Sequence, residues 1–530
     1  MTSSPTPTAT LGLVARSVRV AGPAGVLVEP VDLTVAPGRT LAIIGESGSG
    51  KTMTARAITG LLPAGVSATG TIDIDGERTE LSAPESAWRK VRGPRAVLLL
   101  QDPFTSLSPT HRCGQQIALG IIARELSRGA KAPGRGALNR EVAERLAEVQ
   151  LPERVAGQFP AELSGGMRQR VAIAAALTAE PRLLIADEPT TALDASTQGE
   201  VLDLLRALQD RHEMSVILIS HDLAVVRGRA DEVMVMRDGV VVERGVTARV
   251  LSSPGHEYTR ALIAANPSLD EALLPPAEQH VPLLSASGIE KSFGAFRALS
   301  GVDVSVAAGE VVAIVGESGS GKSTLARCIA GLETPNRGAV TLDGETLPAG
   351  RRGRRPDQVQ IVFQDPYSTL NPMFTIEQSL REALAAAGRP ASEVPALLTL
   401  VGLDTSFAAR RPAQLSGGQR QRVAIARALA PQPRVLICDE SVSALDVSVQ
   451  AQILELLARL RDELGVAMLF ITHDLGVVAR IANRVLVLRR GVVVEQGSAQ
   501  QVLREPRHDY TRLLVRSARH EGTTDLHSPR

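Results

Sequence analysis

The stretch GESGSGK occurs twice in this chain, at residues 45–51 and again at residues 316–322. A hydroxyl residue follows each copy, Thr52 in the first and Ser323 in the second, so both fit the pattern G-x-x-x-x-G-K-[ST]. Glycines let the backbone turn tightly enough for successive N–H groups to converge on phosphate oxygens. Each stretch therefore predicts a phosphate-binding loop, with a lysine for the outer phosphates and a hydroxyl for Mg²⁺.

The surroundings of both copies support this prediction. An apolar run, TLAIIG from Thr40 or VVAIVG from Val311, precedes each loop as a buried strand would, and a helix-compatible run follows. A phosphate would then lie at a helix N-terminus, where backbone N–H groups point at an anion. An ordinary glycine-rich turn is the alternative, and its recurrence in matching surroundings argues against it. The predicted loop residues are Gly45, Glu46, Ser47, Gly48, Ser49, Gly50, Lys51 and Thr52, and Gly316, Glu317, Ser318, Gly319, Ser320, Gly321, Lys322 and Ser323.

Composition excludes several classes of function. The 530 residues are 44% hydrophobic and 22% charged, as in folded globular proteins. A formal net charge of +1 and an aromatic content of 2% argue against a nucleic-acid partner. The sequence contains neither an apolar run of about 18 residues nor a signal-peptide pattern at its start. We therefore expect a cytosolic protein whose membrane role, if it has one, comes through partners.

The loops are the first members of a longer internal repeat. Repeats of this kind decide architecture, because each copy folds as one unit. The repeated pairs are QDPFTSL from Gln101 and QDPYSTL from Gln364, LSGGMRQRVAIAAAL from Leu163 and LSGGQRQRVAIARAL from Leu415, RLLIADE ending at Glu188 and RVLICDE ending at Glu440, ISHDLAVV from Ile219 and ITHDLGVV from Ile471, and HEYTRAL from His256 and HDYTRLL from His508.

This ordered set resembles the ATP-binding subunits of ABC transporters over about residues 9–262 and 284–518. The resemblance implies an α/β fold with two ABC-type P-loop ATPase domains in tandem. Each would have a RecA-like core, an antiparallel β part and a helical subdomain. We expect a disordered start at 1–8, a first domain with a short C-terminal extension at 9–262, and a linker at 263–283. A second domain with its extension would follow at 284–518, then a disordered tail at 519–530.

The resemblance also implies roles for residues at the predicted sites. ATP is the expected nucleotide, with Mg²⁺ held by a hydroxyl, a strand-end aspartate and the glutamine that would sense the ion. The glutamate after each aspartate would polarise the attacking water, and a histidine would contact the γ-phosphate. The expected metal ligands are Thr52, Gln101, Asp187, Ser323, Gln364 and Asp439, and the expected catalytic residues are Glu188, Glu440, His221 and His473.

The LSGG elements explain why one chain carries two copies. In the family, two ATPase domains pair head to tail, and each LSGG covers the nucleotide on the opposite phosphate loop. By this resemblance, Ser164, Gly165 and Gly166 would close the site around Lys322. Ser416, Gly417 and Gly418 would close the site around Lys51. A single chain would thus supply both ATPase domains and two composite ATP sites.

The two halves differ where the family places an aromatic residue against adenine. Phe293 in KSFGAF fits that place in the second half. The first half reads RSVRVAGPAG there and offers no aromatic side chain. We expect its adenine to be held by apolar contact near Val18 or Val20, and we expect both sites to hydrolyse ATP at unequal rates.

Finer motifs indicate a branch of the family. The QDP stretches and the segments SPGHEYTRALIAANP and EPRHDYTRLLVRS resemble bacterial importers of dipeptides, oligopeptides, nickel and related chelates. The chain departs from that pattern at Ser108, Glu257 and Asp509. The resemblance implies two membrane permeases and an extracytoplasmic solute-binding protein as partners. It also implies a peripheral location on the cytoplasmic face of the membrane.

Many members of that branch can hold an iron–sulfur centre through cysteines beyond the Tyr-Thr-Arg stretch. The three cysteines here, Cys113, Cys328 and Cys438, are scattered along the chain. A cluster needs about four thiolates brought together, so we expect no iron–sulfur cluster.

Three alternatives remain at this stage. The chain could serve a nickel or metallophore importer. It could be a soluble ABC protein of translation or DNA repair, although it has neither a long charged linker nor clustered cysteines. It could also be a regulatory module without turnover, which the presence of both Glu188 and Glu440 argues against.

Overall fold

The structure is a computed structural model that describes residues 12–101, 106–190, 195–269, 271–275, 281–365, 369–442 and 445–520. The chain divides into two compact units, and the main division along the sequence falls between Ala264 and Ala265. The segments expected to be disordered, 1–8 and most of 519–530, lie outside the described residues. Among the helices of the described ranges, none has the length and apolar character needed to cross a membrane.

The first unit alternates strands and helices after an initial hairpin. Its strands are β1 (Leu13–Gly22), β2 (Gly25–Val35), β3 (Thr40–Ile44), β4 (Ser67–Ile74), β5 (Glu77–Glu80), β6 (Ala96–Leu99), β7 (Leu183–Asp187), β8 (Ser215–Ile219), β9 (Glu232–Arg237) and β10 (Val240–Val246). Its helices are α1 (Lys51–Thr59), α2 (Glu85–Trp88), α3 (Cys113–Ser127), α4 (Arg135–Glu148), α5 (Gly165–Leu177), α6 (Ala195–His212), α7 (Leu223–Val226), α8 (Thr247–Ser252) and α9 (Glu257–Ala265).

Two sheets position the phosphate loop of this unit. The antiparallel sheet has the order β2-β1-β4-β5, and the larger sheet has the order β10-β9-β3-β8-β7-β6, with β3 parallel to β8 and β9. Every residue of β3, β7 and β8 is buried, as expected of parallel strands covered on both faces. Because the carboxyl ends of parallel strands share one edge, the residues that follow these strands come together there.

A helical part lies between β6 and β7 in the sequence. Helices α3 and α4 pack with α5 around side chains that are completely buried, including Ile117, Ile121 and Leu146. This cluster is distinct from the one beneath the antiparallel sheet, which contains Leu13, Leu33 and Ile72. The unit therefore has the predicted ATPase core, antiparallel part and helical subdomain.

The second unit repeats this series of elements. Its strands are β11 (Leu284–Phe293), β12 (Phe296–Val306), β13 (Val311–Val315), β14 (Arg337–Leu342), β15 (Glu345–Thr346), β16 (Val359–Val362), β17 (Val435–Asp439), β18 (Ala467–Ile471), β19 (Arg484–Arg489) and β20 (Val492–Ser498). Its helices are α10 (Lys322–Ile329), α11 (Ile376–Ala386), α12 (Val394–Leu400), α13 (Gly417–Leu429), α14 (Val447–Leu464), α15 (Leu475–Ile481), α16 (Ala499–Arg504) and α17 (Asp509–His520).

The sheets of the second unit have the same neighbours as those of the first. Their orders are β12-β11-β14-β15 and β16-β17-β18-β13-β19-β20, with β13 parallel to β18 and β19. The predicted fold, two tandem α/β ATPase domains with antiparallel and helical parts, is confirmed.

Part of the expected linker packs against the second unit. We call residues 265–269 and 271–275 the docked linker segment. Leu269 is buried among apolar side chains of the second unit. The Asn483 side chain donates to the Pro275 carbonyl at 3.0 Å, and Arg504 donates to the Glu271 carbonyl at 3.2 Å. Since Gly476 has no side chain, the Pro267 carbonyl can lie where a Cβ atom would be only 2.6 Å away.

Candidate functional site

The first phosphate loop connects β3 to α1. Gly45 has a φ of 147°, and a Cβ atom there would lie 2.1 Å from the Met236 carbonyl oxygen, so only glycine fits. Lys51 is buried, and its Nζ donates to the carbonyl oxygens of Gly45 and Glu46, both at 2.7 Å. The loop thus brings its cation and its backbone to one point at the start of a helix.

The second loop, between β13 and α10, has the same geometry. Gly316 has a φ of 151°, and a Cβ atom there would lie 2.1 Å from the Leu488 carbonyl oxygen. Lys322 is buried and donates to the carbonyl oxygens of Gly316 at 2.7 Å and Glu317 at 2.8 Å. Both loops therefore hold their lysine in the same place.

A hydroxyl and a carboxylate meet beside each loop. Thr52 donates to Asp187 at 3.2 Å, and Ser323 donates to Asp439 at 2.9 Å. Both aspartates end a buried strand, and burial raises the pKa of each above the ordinary aspartate value. A nearby cation would offset this burial by favouring the charged carboxylate.

The residues present suit Mg²⁺ and a polyphosphate. Mg²⁺ prefers oxygen ligands and is commonly held by one or two carboxylates together with substrate phosphates. In keeping with this, the described residues contain no cluster of three or more side chains that would hold a metal without such a substrate. The Ser49 and Ser320 hydroxyls are buried in the loops and have no hydrogen-bond partner among the described residues, which leaves them available to phosphate oxygens.

Glu188, which follows Asp187, is held in an unusual backbone conformation. Its φ is 46°, in the left-handed region that residues other than glycine seldom adopt. The Gln101 amide donates to Oε2 of Glu188 at 2.6 Å, and Nδ1 of His221 lies 3.1 Å from Oε1. The strain and both contacts aim one carboxylate, one amide and one imidazole at the same place.

The second unit assembles the same three groups less tightly. Glu440 has a φ of 48°, Gln364 donates to it at 3.0 Å, and Nδ1 of His473 lies 3.8 Å from its Oε1. Burial of the His473 imidazole disfavours its charged form, but the neighbouring Glu440 carboxylate outweighs this and raises the pKa of His473. In both units the glutamine contacts the glutamate, and its expected role as a metal ligand stays a prediction.

The LSGG serines begin helices. Ser164 accepts from the N–H of Met167 at 3.4 Å, and Ser416 accepts from the N–H of Gln419 at 3.3 Å. Only in the second unit does the side chain at the third helical position return the bond, with Gln419 accepting from the Ser416 N–H at 3.0 Å. Both serines are exposed and therefore accessible to a ligand.

The glycines of this element allow close packing. A Cβ atom on Gly166 would lie 2.4 Å from Thr197, and one on Gly418 would lie 2.3 Å from Val449. The second glycine of each LSGG therefore has a structural reason, the approach of two helices. The first ones, Gly165 and Gly417, are partly exposed beside the serine.

The expected adenine contacts divide between the two units. Phe293 ends β11 with 47% of its surface exposed, and Nζ of Lys291 lies 4.9 Å from its ring centroid. Gly22 ends β1 at the equivalent place. Val18 and Val20 are fully buried in the core, so the expectation that adenine lies against them is wrong. Neither valine presents a surface to a base.

A contact with the phosphate loops was not predicted from the sequence. The Tyr258 hydroxyl accepts from the Glu46 N–H at 3.1 Å, and the Tyr510 hydroxyl accepts from the Glu317 N–H at 2.9 Å. These tyrosines belong to the repeated HEYTRAL and HDYTRLL stretches. That recurrence was the available signal, although nothing in it named a partner.

Comparison with known proteins agrees with this geometry. The ABC transporter family model matches residues 28–191 and 299–443. The model described as "Oligopeptide/dipeptide transporter, C-terminal region" matches residues 242–297 and 494–527.

Two curated relatives match nearly the whole chain. The peptidoglycan transport ATP-binding protein YejF of Agrobacterium fabrum is 40% identical over 94% of this chain and 94% of its own length. The glutathione import ATP-binding protein GsiA of Salmonella choleraesuis is 40% identical over 92% of this chain and 86% of its own length.

One solved structure covers both units. A chain in a model of ribosome-bound archaeal Pelota and ABCE1 has a TM-score of 0.62 at 20% identity, covering 91% of this chain and 79% of that one. At that identity the likeness shows the fold alone. From the family match and the two full-length relatives, the chain belongs to the ABC transporter family and is one of its tandem ATP-binding proteins, in the oligopeptide/dipeptide branch.

Proposed function

We propose that this protein hydrolyses ATP to drive an importer of dipeptides or oligopeptides. The observation that carries the proposal is the complete set of lysine, hydroxyl, aspartate, glutamate, glutamine and histidine at the sheet edge of both units. Support for import comes from the relatives, named for peptidoglycan transport and glutathione import, and from the oligopeptide/dipeptide transporter model.

The contacts of Glu188 suggest how hydrolysis is controlled. Gln101 and His221 occupy its two carboxylate oxygens. If the glutamine turns to Mg²⁺ and the histidine to the γ-phosphate, as the resemblance implies, both oxygens become free to orient and deprotonate water. Arrival of the nucleotide would thus convert a resting glutamate into a general base, and Glu440 would be released in the same way.

Mg²⁺ would be held by Thr52 with Asp187 and by Ser323 with Asp439. When bound, the ion neutralises charge that develops on the phosphates. Lys51 and Lys322 would leave the loop carbonyls for the β- and γ-phosphates, and the loop N–H groups would bind the remaining oxygens. We further propose that each LSGG serine completes the opposite site, so that one chain forms two composite sites.

The partners are proposed from the same branch of the family. Two permease subunits would cross the membrane, and an extracytoplasmic solute-binding protein would deliver the solute to them. The protein would then lie at the cytoplasmic face of the membrane, attached through the permeases. A nickel or metallophore importer is the second candidate, since the two substrate classes share this branch.

Reconstitution tests the proposal. The protein would be assembled in lipid vesicles with the permeases encoded beside it, and phosphate release would be measured with the matching solute-binding protein. We expect stimulation by a binding protein loaded with peptide, and uptake of labelled peptide that requires ATP.

Two outcomes would contradict parts of this proposal. Stimulation by a nickel chelate and not by peptides would favour the metallophore importer. A protein that ignores permeases and instead co-sediments with ribosomes would exclude transport altogether. The same vesicles carrying the variant E188Q/E440Q serve as the control, because they keep the assembly and lack the proposed bases.

A further inference from the structure

The C-terminal extension of each unit reaches back to that unit's phosphate loop. Tyr258 near the start of α9 accepts a hydrogen bond from the Glu46 N–H, across 212 positions of sequence. Tyr510 near the start of α17 accepts the equivalent bond from Glu317. Both tyrosines are buried, with 7% and 2% of their surface exposed. The same contact therefore exists twice, in two copies of the fold with different surrounding residues.

The tyrosine of the first unit is held firmly in place. The Glu243 carboxylate accepts from the N–H groups of Gly255 at 2.7 Å and His256 at 3.1 Å. Nδ1 of His256 in turn accepts from the Tyr258 N–H at 3.1 Å. The Arg237 guanidinium lies 5.0 Å from the centre of the tyrosine ring. Strand β10, the turn before α9 and the ring are thus joined into one clasp.

The second unit has the same clasp. Glu495 accepts from the N–H groups of Arg507 at 2.8 Å and His508 at 3.0 Å. Nδ1 of His508 accepts from the Tyr510 N–H at 3.1 Å, and the Arg489 guanidinium lies 4.6 Å from the tyrosine ring. The residue that differs, Arg507 in place of Gly255, contributes only a backbone N–H in both cases.

The tyrosine and the loop lysine hold the same residue from opposite sides. The N–H of Glu46 donates to Tyr258, while its carbonyl accepts from Lys51 at 2.7 Å. Glu317 is held in the same way by Tyr510 and Lys322. A buried N–H needs a partner, and the hydroxyl supplies one that does not depend on the nucleotide. When the lysine leaves for a phosphate, the hydroxyl remains as the anchor.

We propose that Tyr258 and Tyr510 are positioning residues for ATP binding, which join each C-terminal extension to the phosphate loop of its own unit. The inference rests on the proposed function, because it requires that these loops bind ATP. It adds that the extension stabilises the loop in its binding shape. Loss of the hydroxyl lets the first peptide of the loop rotate, and the N–H groups that follow are then less well aligned for the phosphates.

The test is the double variant Y258F/Y510F in the full chain. Phenylalanine keeps the buried ring and removes only the hydroxyl. We expect MgATP to bind about fivefold more weakly at each site, the loss that corresponds to one neutral hydrogen bond. The KM for ATP should rise by a similar factor while kcat changes little. Without nucleotide, hydrogen exchange at the N–H groups of Glu46 and Glu317 should become faster.

The matched control is T259V/T511V. Thr259 and Thr511 are the next residues in the same helices and are also buried, so this variant removes a buried hydroxyl from each extension without touching the tyrosines. It should change thermal stability while leaving the affinity for MgATP unaltered. An equal loss of affinity in both double variants would overturn the inference, because any damage to the extension would then have the same effect.

Wild-type protein separates the two proposals. If the wild type neither binds nor hydrolyses MgATP, the proposed function fails. If the wild type binds MgATP and Y258F/Y510F binds it equally well, with unchanged exchange at the loop, only the role of the tyrosines is excluded.

Discussion

The two units share one scaffold and differ in how they hold the same groups. In the first, Glu188 has contacts of 2.6 Å to Gln101 and 3.1 Å to His221. In the second, the corresponding contacts of Glu440 are 3.0 and 3.8 Å. The first unit ends β1 in Gly22, where the second has an exposed phenylalanine.

This comparison separates two kinds of residue. The groups that would act on phosphate and Mg²⁺ are present in both copies, because each does chemistry that has no substitute at that position. The groups that would contact the base or trim a helix end differ, because ring stacking or one capping bond adjusts affinity or stability by small amounts. We therefore expect both sites to hydrolyse ATP and the second to bind adenine more strongly.

The largest effect is expected from removing the proposed bases. E188Q and E440Q should each lower hydrolysis at their own site by about 10²–10⁴-fold, the usual value of general-base catalysis. Phosphate release by the complex measures the rate, and the double variant should retain bound ATP. E345Q, which changes an exposed glutamate of β15, is the control. Wild-type turnover in either single variant would show that the altered site does not hydrolyse ATP.

A smaller effect is expected from F293A. Loss of a stacked ring should weaken ATP binding at the second site by about 1–3 kcal/mol, and no equivalent residue exists in the first. The matched control is F296A, which removes another exposed phenylalanine from the same hairpin. Calorimetric titration with ATP and with inorganic tripolyphosphate measures the effect. A similar loss for tripolyphosphate, which has no base, would show that Phe293 does not stack on adenine.

The docked linker segment provides a third contrast. In G476A the new methyl group would meet the Pro267 carbonyl, and such overpacking costs about 1–3 kcal/mol. Alanine otherwise favours a helix over glycine by about 1 kcal/mol, so a net loss of stability would identify the contact. Urea unfolding and limited proteolysis of the linker are the measurements.

The first unit supplies the control for that variant, because α7 carries Ala224 at the equivalent place. A224G should lose only the helix preference of alanine. If G476A stabilised the protein and left the linker equally resistant to protease, the segment would not be docked in solution.

The smallest effect is expected from exchanging the residue after LSGG. Q419M should cost about 0.5 kcal/mol, because it removes the bond that Gln419 accepts from Ser416. M167Q should stabilise the first unit by a similar amount, since it introduces the missing partner. Urea unfolding of both variants measures the difference, and equal and opposite shifts would confirm that the two helix ends are interchangeable.

The local chemistry of the sites could be predicted from the sequence. Each phosphate loop, strand-end aspartate and LSGG helix start depends on residues adjacent in sequence, so a motif contains most of its geometry. The arrangement of strands also followed, because parallel strands bring their carboxyl ends to one edge.

Contacts between distant residues could not be predicted in this way. Val18 and Val20 seemed available to adenine, but β1 contains a bulge where Ser17 has a φ of 50°. The bulge shifts the alternation of faces so that both valines point into the core. The bond from Glu46 to Tyr258 joins residues whose spacing follows no helix or strand period, so sequence patterns carry no record of it.

The docked linker segment also determines where the gene could be divided. If the halves were produced as separate polypeptides, a break before Ala265 would leave the segment with the unit that binds it. A break just before Leu284, where β11 begins, would remove the partners of Asn483 and Arg504 and uncover the apolar surface that Leu269 fills. The two products would have the same catalytic residues but different solubility, so a functional second half begins well before its first strand.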